Sequence, residues 1–272
     1  MKITSPVKSK EFVERIIKAG AGELFGGVID PIWQNKYGKY IEFNRRGSYG
    51  KQGNCQSYQE IGEIIQIADD YGVEFDLTIN ALQMWEEQIP YVRSILEKYK
   101  KVGGRNVIVS DLSIIPIARE YDFNVIISSC ANVYNTYIAQ YLKLEGCSKI
   151  IFPRDISVQE MRNISETVPD MQYEMFMMNS GCRFQDGNCL GVHNTRFKEL
   201  CSFCGKEGWD YHRLDGMELS SEEKQSAFIV SEQYQCDNNN SCVFYIQIVP
   251  EKSFFPNTSH NLCFHPQDKY SS

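Results

Sequence analysis

Short apolar runs alternate with stretches of helical spacing along the first two thirds of the chain. The apolar runs, which read as strands, fall at 2–5, 22–29 (GELFGGVI), 73–80 (VEFDLTIN), 106–111 (NVIVSD), 123–129 (FNVIISS), 149–155 (KIIFPRD) and 173–178. Between them, apolar residues recur every three or four positions over 11–19, 58–71, 86–101, 114–121, 135–144 and 157–165, which predicts amphipathic helices. Gly20, Gly72, Gly103 and Gly146 follow these segments, where a helix commonly stops. Ser157 with Glu160 three residues later is a capping box. Residues 30–55, rich in Gly, Asn and Arg, read as a long loop. Beyond 205 the pattern changes: 242–249 (CVFYIQIV) reads as a strand, with the tail after Pro250 irregular.

Strand–helix alternation of this kind implies a parallel sheet. The expected fold is α/β: a TIM-like (β/α) barrel, regular or distorted, with a Cys-rich C-terminal segment. The expected domains are a barrel core over 1–205 and an extension over 206–272 that packs on it, with a β-hairpin near 228–249. Chemistry in such barrels sits at the C-terminal ends of the strands. The residues placed there by this reading are Gly26, Gly27, Asn80, Asp111, Ser128, Arg154 and Glu174. Helix capping explains Asp111 and Ser128 equally well, and surface charge explains Arg154. The pair Gly26–Gly27 reads either as a bulge or as a close approach by backbone or ligand.

Composition narrows this picture in two ways. With 28 basic and 35 acidic residues the formal net charge is −7, which argues against coating duplex DNA by charge alone. No apolar run is long enough for a membrane span, and the start MKITSPVKSKEF lacks the apolar core of a signal peptide, so the expected location is cytoplasmic.

Ten cysteines are many for such a chain, and seven of them lie between Cys182 and Cys263. In a reducing compartment, clustering favours metal ligation over disulfides. Cys182, Cys189, Cys201 and Cys204 follow the apolar run 173–178 directly. From spacing alone, structural zinc and an iron–sulfur cluster are both open, since Cys201-x2-Cys204 is common zinc spacing.

Several segments together resemble the collagenase-like peptidases of family U32. The family marker, E-x-F-x-H-G followed by two residues, Cys, six residues and Cys, stands here as Glu174, Phe176, Met178, Asn179, Cys182 and Cys189. Met178 and Asn179 replace the His and Gly. Upstream, AGAGELFGG, DLTIN ending at Asn80, VIVSD ending at Asp111, the segment carrying Ser128, Ser129 and Asn135, and IIFPRDIS with Arg154 resemble family segments in order and spacing. The resemblance covers roughly residues 2–205. It implies a barrel-type fold and a 4Fe-4S cluster held by Cys182, Cys189 and two of Cys201, Cys204 and Cys236, with structural zinc as the alternative. It also implies oxygen-independent hydroxylation, or a related reaction, on an RNA base or small organic substrate. In that reading Glu174 and Asp111 handle protons, Arg154 also belongs to the catalytic set, and Arg154, Arg45 and Arg46 bind an anionic substrate beside Asn80 and Ser128. The expected partners are the small organic or RNA substrate and a homologous subunit or electron donor. The alternatives are a collagenase-like peptidase and a non-catalytic iron–sulfur partner subunit. Neither Gly-x-Ser-x-Gly nor His-Glu-x-x-His is present to support hydrolysis.

Overall fold

The computed structural model describes residues 2–38, 43–46, 53–178, 186 and 244–248. The predicted alternation is present as β1 (Lys2–Pro6), α1 (Val13–Lys18), β2 (Glu23–Val28), α2 (Pro31–Lys36), β3 (Asn54–Cys55), α3 (Tyr58–Asp70), β4 (Glu74–Ile79), α4 (Ile89–Lys101), β5 (Asn106–Val109), α5 (Ile114–Glu120), β6 (Asn124–Ile127), α6 (Thr136–Leu144), β7 (Lys149–Ile151), α7 (Val158–Thr167), β8 (Gln172–Met178) and β9 (Phe244–Ile248). Parallel pairing runs β1–β2–β4–β5–β6–β7–β8, and β9 lies antiparallel between β8 and β1. The sheet thus curls round on itself as a TIM-barrel-like α/β fold.

β9 belongs to the segment 206–272 expected to pack on the barrel, and it does so by pairing antiparallel with β8 and β1 of the sheet. Most of 206–272, including the rest of the expected hairpin, lies outside the described residues. The loop expected over 30–55 contains α2, a difference with a local cause. Asp30 is the N-cap, its carboxylate accepting from the backbone N–H of Ile32 and Trp33, and Pro31 occupies the first helical position. Lys98 and Tyr58 bind the other carboxylate oxygen at 2.8 and 2.9 Å, so the cap also fastens α2 to α3 and α4. Burial raises the Asp30 carboxyl, but Lys98, the backbone donors and Tyr58 together hold it below its ordinary value. The predicted capping box at Ser157 and Glu160 opens α7. Among the described residues no helix is long and apolar enough to cross a membrane.

The strands bury both faces. Leu24, Leu77, Ile79, Val107, Val109, Val125, Ile127 and Ile150 face the helices and pack with Ile61, Ile64, Ile95, Leu96, Ile114, Leu142 and Ile164. The alternate positions face the lumen in layers. Phe25, Ile108, Ile126 and Ile151, with Phe176 against them, form an apolar layer separate from the outer core. This layer divides two polar regions, one toward each end of the barrel.

Candidate active site at the barrel mouth

At the C-terminal ends of the strands, Asn80 is the hub. Its side-chain oxygen accepts from the Arg45 backbone N–H at 3.0 Å, and its amide nitrogen donates to Ser128 Oγ at 3.4 Å. Its carbonyl accepts from Ser110 Oγ at 3.1 Å. The next residue, Ala81, donates its N–H to the Phe43 carbonyl at 3.0 Å, so residues 43–46 are laid along the end of β4. Arg46 is fixed in turn: its N–H donates to Asn44 Oδ1 at 2.9 Å and its Nε to the Gly53 carbonyl at 2.7 Å. Asn54 Nδ2 donates to the Arg46 carbonyl at 2.8 Å.

These contacts explain Gly27. A Cβ there would meet Asn54 Oδ1 at 2.1 Å and Asn44 Nδ2 at 3.0 Å. At Gly26 a Cβ would meet the Val7 carbonyl oxygen at 2.8 Å. The close-approach reading of the glycine pair is therefore the one observed, and the approaching groups belong to the protein itself.

Two guanidinium groups lie over the apolar layer. Arg46 sits 5.2 Å from the Phe25 ring centre and Arg154 sits 4.4 Å from that of Phe176. A cation over an aromatic face is attracted by the ring quadrupole. Arg154 also pairs through its guanidinium with the carboxylate of Asp186, and its backbone N–H donates to the other Asp186 oxygen at 3.3 Å. Asp186 is buried, while Arg154 is partly exposed. Asp186 lies between Cys182 and Cys189 in the sequence, and this contact ties the chain to the mouth at that one residue. The candidate ligands Cys182, Cys189, Cys201, Cys204 and Cys236 themselves lie outside the described residues.

The structure thus brings Asn80, Ser128, Arg45, Arg46 and Arg154 to one mouth. Asp111 is nearby but engaged as a tether: one oxygen accepts from the Met84 N–H at 2.6 Å and the other from the Ser113 N–H at 2.9 Å, just before α5. Ser128 caps the short turn Ser129–Ala131, accepting from the Cys130 N–H. Ser128 therefore takes the capping role that the sequence left open, whereas Asp111 ties the Met84 and Ser113 N–H groups and the N-cap of α5 is Ser113.

Glu174 stands elsewhere. It was expected at the C-terminal end of its strand, yet it stands near the start of β8 (Gln172–Met178), four residues before the end. Phe176, in the apolar layer, lies two residues nearer the mouth, so Glu174 faces the lumen on the opposite side of that layer. There it joins a charged girdle that the sequence reading missed. Lys149 Nζ is in close contact with Glu23, lies 3.4 Å from Glu174 and 3.5 Å from Asp76, and all four side chains are buried. The girdle continues through hydrogen bonds from Asn106 to Asp76 at 2.8 Å, from Asn124 to Asn106 at 2.9 Å and from Thr4 to Glu23 at 3.3 Å.

Three carboxylates around one ammonium cannot all be charged cheaply in so dry a place. Burial pushes the Glu174 carboxyl up to about 7, against the pull of Lys149. Burial likewise holds Asp76 well above its ordinary value, with Glu23 adding to the effect. Burial also raises Glu23, but the hydrogen bond from Asp76 and the attraction of Lys149 outweigh it and leave that carboxyl lowered. On Lys149 burial opposes the charge, and the three carboxylates more than compensate, raising the ammonium. Lys149 and Glu23 form the close ion pair, and burial favours the protonated forms of Asp76 and Glu174. Polar groups at this end of a barrel read as stability rather than chemistry.

A family model described as peptidase family U32 matches residues 8–240. A collagenase of Porphyromonas gingivalis is 24% identical over 235 residues, covering 81% of this chain and 53% of its own length. The tRNA hydroxylation protein P1 of Bacillus subtilis is 30% identical over 192 residues, covering 66% of this chain and 44% of its own. The tRNA hydroxylation protein P of Escherichia coli is 26% identical over 158 residues, covering 57% of this chain and 35% of its own. The chain therefore spans about half, or less, of the length of these relatives. Among solved structures, that of a U32 peptidase aligns with a TM-score of 0.46 at 16% identity, covering 62% of this chain and 66% of the other. A family match over most of the chain, joined to the marker residues Glu174 and Phe176 inside the barrel, leads to one conclusion: this chain belongs to peptidase family U32.

Proposed function

We propose that this chain is a redox protein that supports oxygen-independent hydroxylation, or a related reaction, of an RNA base or a small organic substrate taken at the barrel mouth. The observation that carries the reading is the anchoring of Asp186, which lies between Cys182 and Cys189, onto Arg154 above the apolar layer. It favours a site in which the cysteine-bearing stretch and the substrate share the mouth. Relatives named for tRNA hydroxylation support the RNA substrate.

The donor set for a metal centre is Cys182, Cys189 and two of Cys201, Cys204 and Cys236, all thiols, which suits a 4Fe-4S cluster and, as the alternative, structural zinc. A cluster would supply electron transfer when bound. The chain's own residues do the rest. Arg154 and Arg46 attract an anionic substrate, Asn80 and Ser128 fix the loop that carries Arg45 and Arg46, and the apolar layer closes the lumen beneath.

A peptidase reading has less support at this mouth. Hydrolysis by a serine needs an adjacent base. Ser128 Oγ accepts from Asn80 Nδ2 and the Cys130 N–H, and neither donor is a base.

The test is mass spectrometry of nucleosides from total RNA of cells carrying or lacking the protein. A hydroxylated nucleoside that disappears on deletion, returns with the wild-type chain and fails to return with Arg154→Met supports the reading. An unchanged nucleoside profile overturns the RNA form of it.

A further inference from the structure

Asp186 does more at Arg154 than a surface ion pair does. Its carboxylate is buried, and it is gripped from two directions, by the guanidinium and by the backbone N–H of the same arginine. A carboxylate is taken out of water only where charge and hydrogen bonds replace its hydration. The mouth after β7 is therefore already a place that holds an oxyanion away from solvent. The guanidinium is braced from behind by the Phe176 ring at 4.4 Å, so its direction is fixed rather than floppy. The exposed Asp155, next to Arg154 in the chain, is turned aside onto the Tyr134 hydroxyl at 2.6 Å. The donors that converge on Asp186, one guanidinium and one backbone N–H, are those that recognise phosphate oxygens as readily as carboxylate oxygens.

We propose that Arg154 and its backbone N–H form a phosphate-binding seat, and that Asp186 is its resident counter-anion, displaced when the phosphate of a nucleotide substrate arrives. The inference rests on the reading of Arg154 as a substrate-binding residue, and it names the chemical group that residue takes. The seat is self-closed: a small dianion must compete with a carboxylate tethered to the same chain, and so with a high effective concentration. Binding in the wild type is then weak, and removing the tethered competitor strengthens it.

The experiment titrates the full chain with uridine 5′-monophosphate and, separately, with inorganic phosphate, by calorimetry. Asp186→Asn should bind both at least about tenfold more tightly than wild type, since it removes a charged intramolecular competitor. The double variant Asp186→Asn/Arg154→Met should lose that gain. A second measurement uses the unaltered protein, in case the variants misfold. The Asp186 carboxyl is labelled with a water-soluble carbodiimide and an amine, and the label is located by mass spectrometry. It should be protected in buffer and become reactive as phosphate is added. Equal affinities in wild type and Asp186→Asn, or a label at Asp186 indifferent to phosphate, would overturn the proposal and leave the pair as a loop anchor only. These readouts are independent of RNA hydroxylation. A phosphate seat without a nucleoside phenotype would overturn the proposed reaction and leave the seat standing, and the reverse result would overturn the seat alone.

Discussion

Replacing Glu174 by Gln should remove a pH dependence from the stability of the barrel. In the native protein burial holds this carboxyl at about 7, against an ordinary value of 4.5. Between those two values the folded chain keeps a proton that the unfolded chain releases. Stability from this group is thus fully present below about 4.5, falls as pH rises, and is gone above about 7. Each tenfold change in a proton equilibrium is worth about 1.4 kcal/mol, so the loss amounts to about 3 kcal/mol. The glutamine side chain would mimic the protonated acid in size and charge and could not titrate. The assay is urea unfolding of both proteins in matched buffers from pH 5 to pH 8. Wild type should lose stability across this range by about 3 kcal/mol more than the variant, which should be the more stable of the two at pH 8. Other groups that titrate in the window, histidines included, are common to both proteins and cancel in the difference. Parallel stability curves for the two would refute the reasoning, because Glu174 would then be ionised, or solvated, throughout.

Lys149→Met should destabilise the barrel by about 3–5 kcal/mol at neutral pH, because it leaves Glu23, Asp76 and Glu174 without their cation; the same urea series checks it, and part of the loss should be recovered in acid. Gly27→Ala should cost about 1–3 kcal/mol by overpacking against Asn54 and Asn44, read as a lower thermal midpoint and increased hydrogen exchange in 43–46 and 53–56. Asp111→Ala should lower stability by about 1–3 kcal/mol, since it orphans the Met84 and Ser113 N–H groups; Asp111→Asn should recover part of that loss.

The outer framework of the molecule was readable from the chain because strand and helix periods alternate cleanly and glycines punctuate them. Gly20, Gly72, Gly103 and Gly146 all adopt positive φ at helix ends, a backbone state that glycine takes without strain. α2 escaped because six residues reading PIWQNK carry too few apolar positions to show a period, although Asp30–Pro31 announced its start. β9 showed as a strand, but its place between β1 and β8 is set by pairing with residues about 70 and more than 240 positions away, which no local pattern records. The mouth was legible where polar residues follow apolar strands, as at Asn80, Ser128 and Arg154. The charged girdle was not seen, yet its signal was present. Glu23-x-Phe25, Asn106-x-Ile108, Asn124-x-Ile126, Lys149-x-Ile151 and Glu174-x-Phe176 each place a polar residue two before a lumen-facing apolar one. A repeat of two along parallel strands means one face, and one face in a closed sheet means the lumen. Glu174 was assigned to the mouth although it stands at the start of the apolar run read over 173–178, four residues before that run ends. Asp186 was overlooked because cysteines on either side of it drew the chemical reading.

Whether the cysteines on either side of Asp186 carry an iron–sulfur centre decides the proposed chemistry. It is measured by iron, acid-labile sulfide and zinc analysis of the full chain purified without oxygen, beside its Cys182→Ser variant. The expected result is about four irons and four sulfides per chain, a visible absorption that bleaches on reduction, and loss of both in the variant. One zinc per chain, with no sulfide and no visible absorption in the wild type, would contradict it.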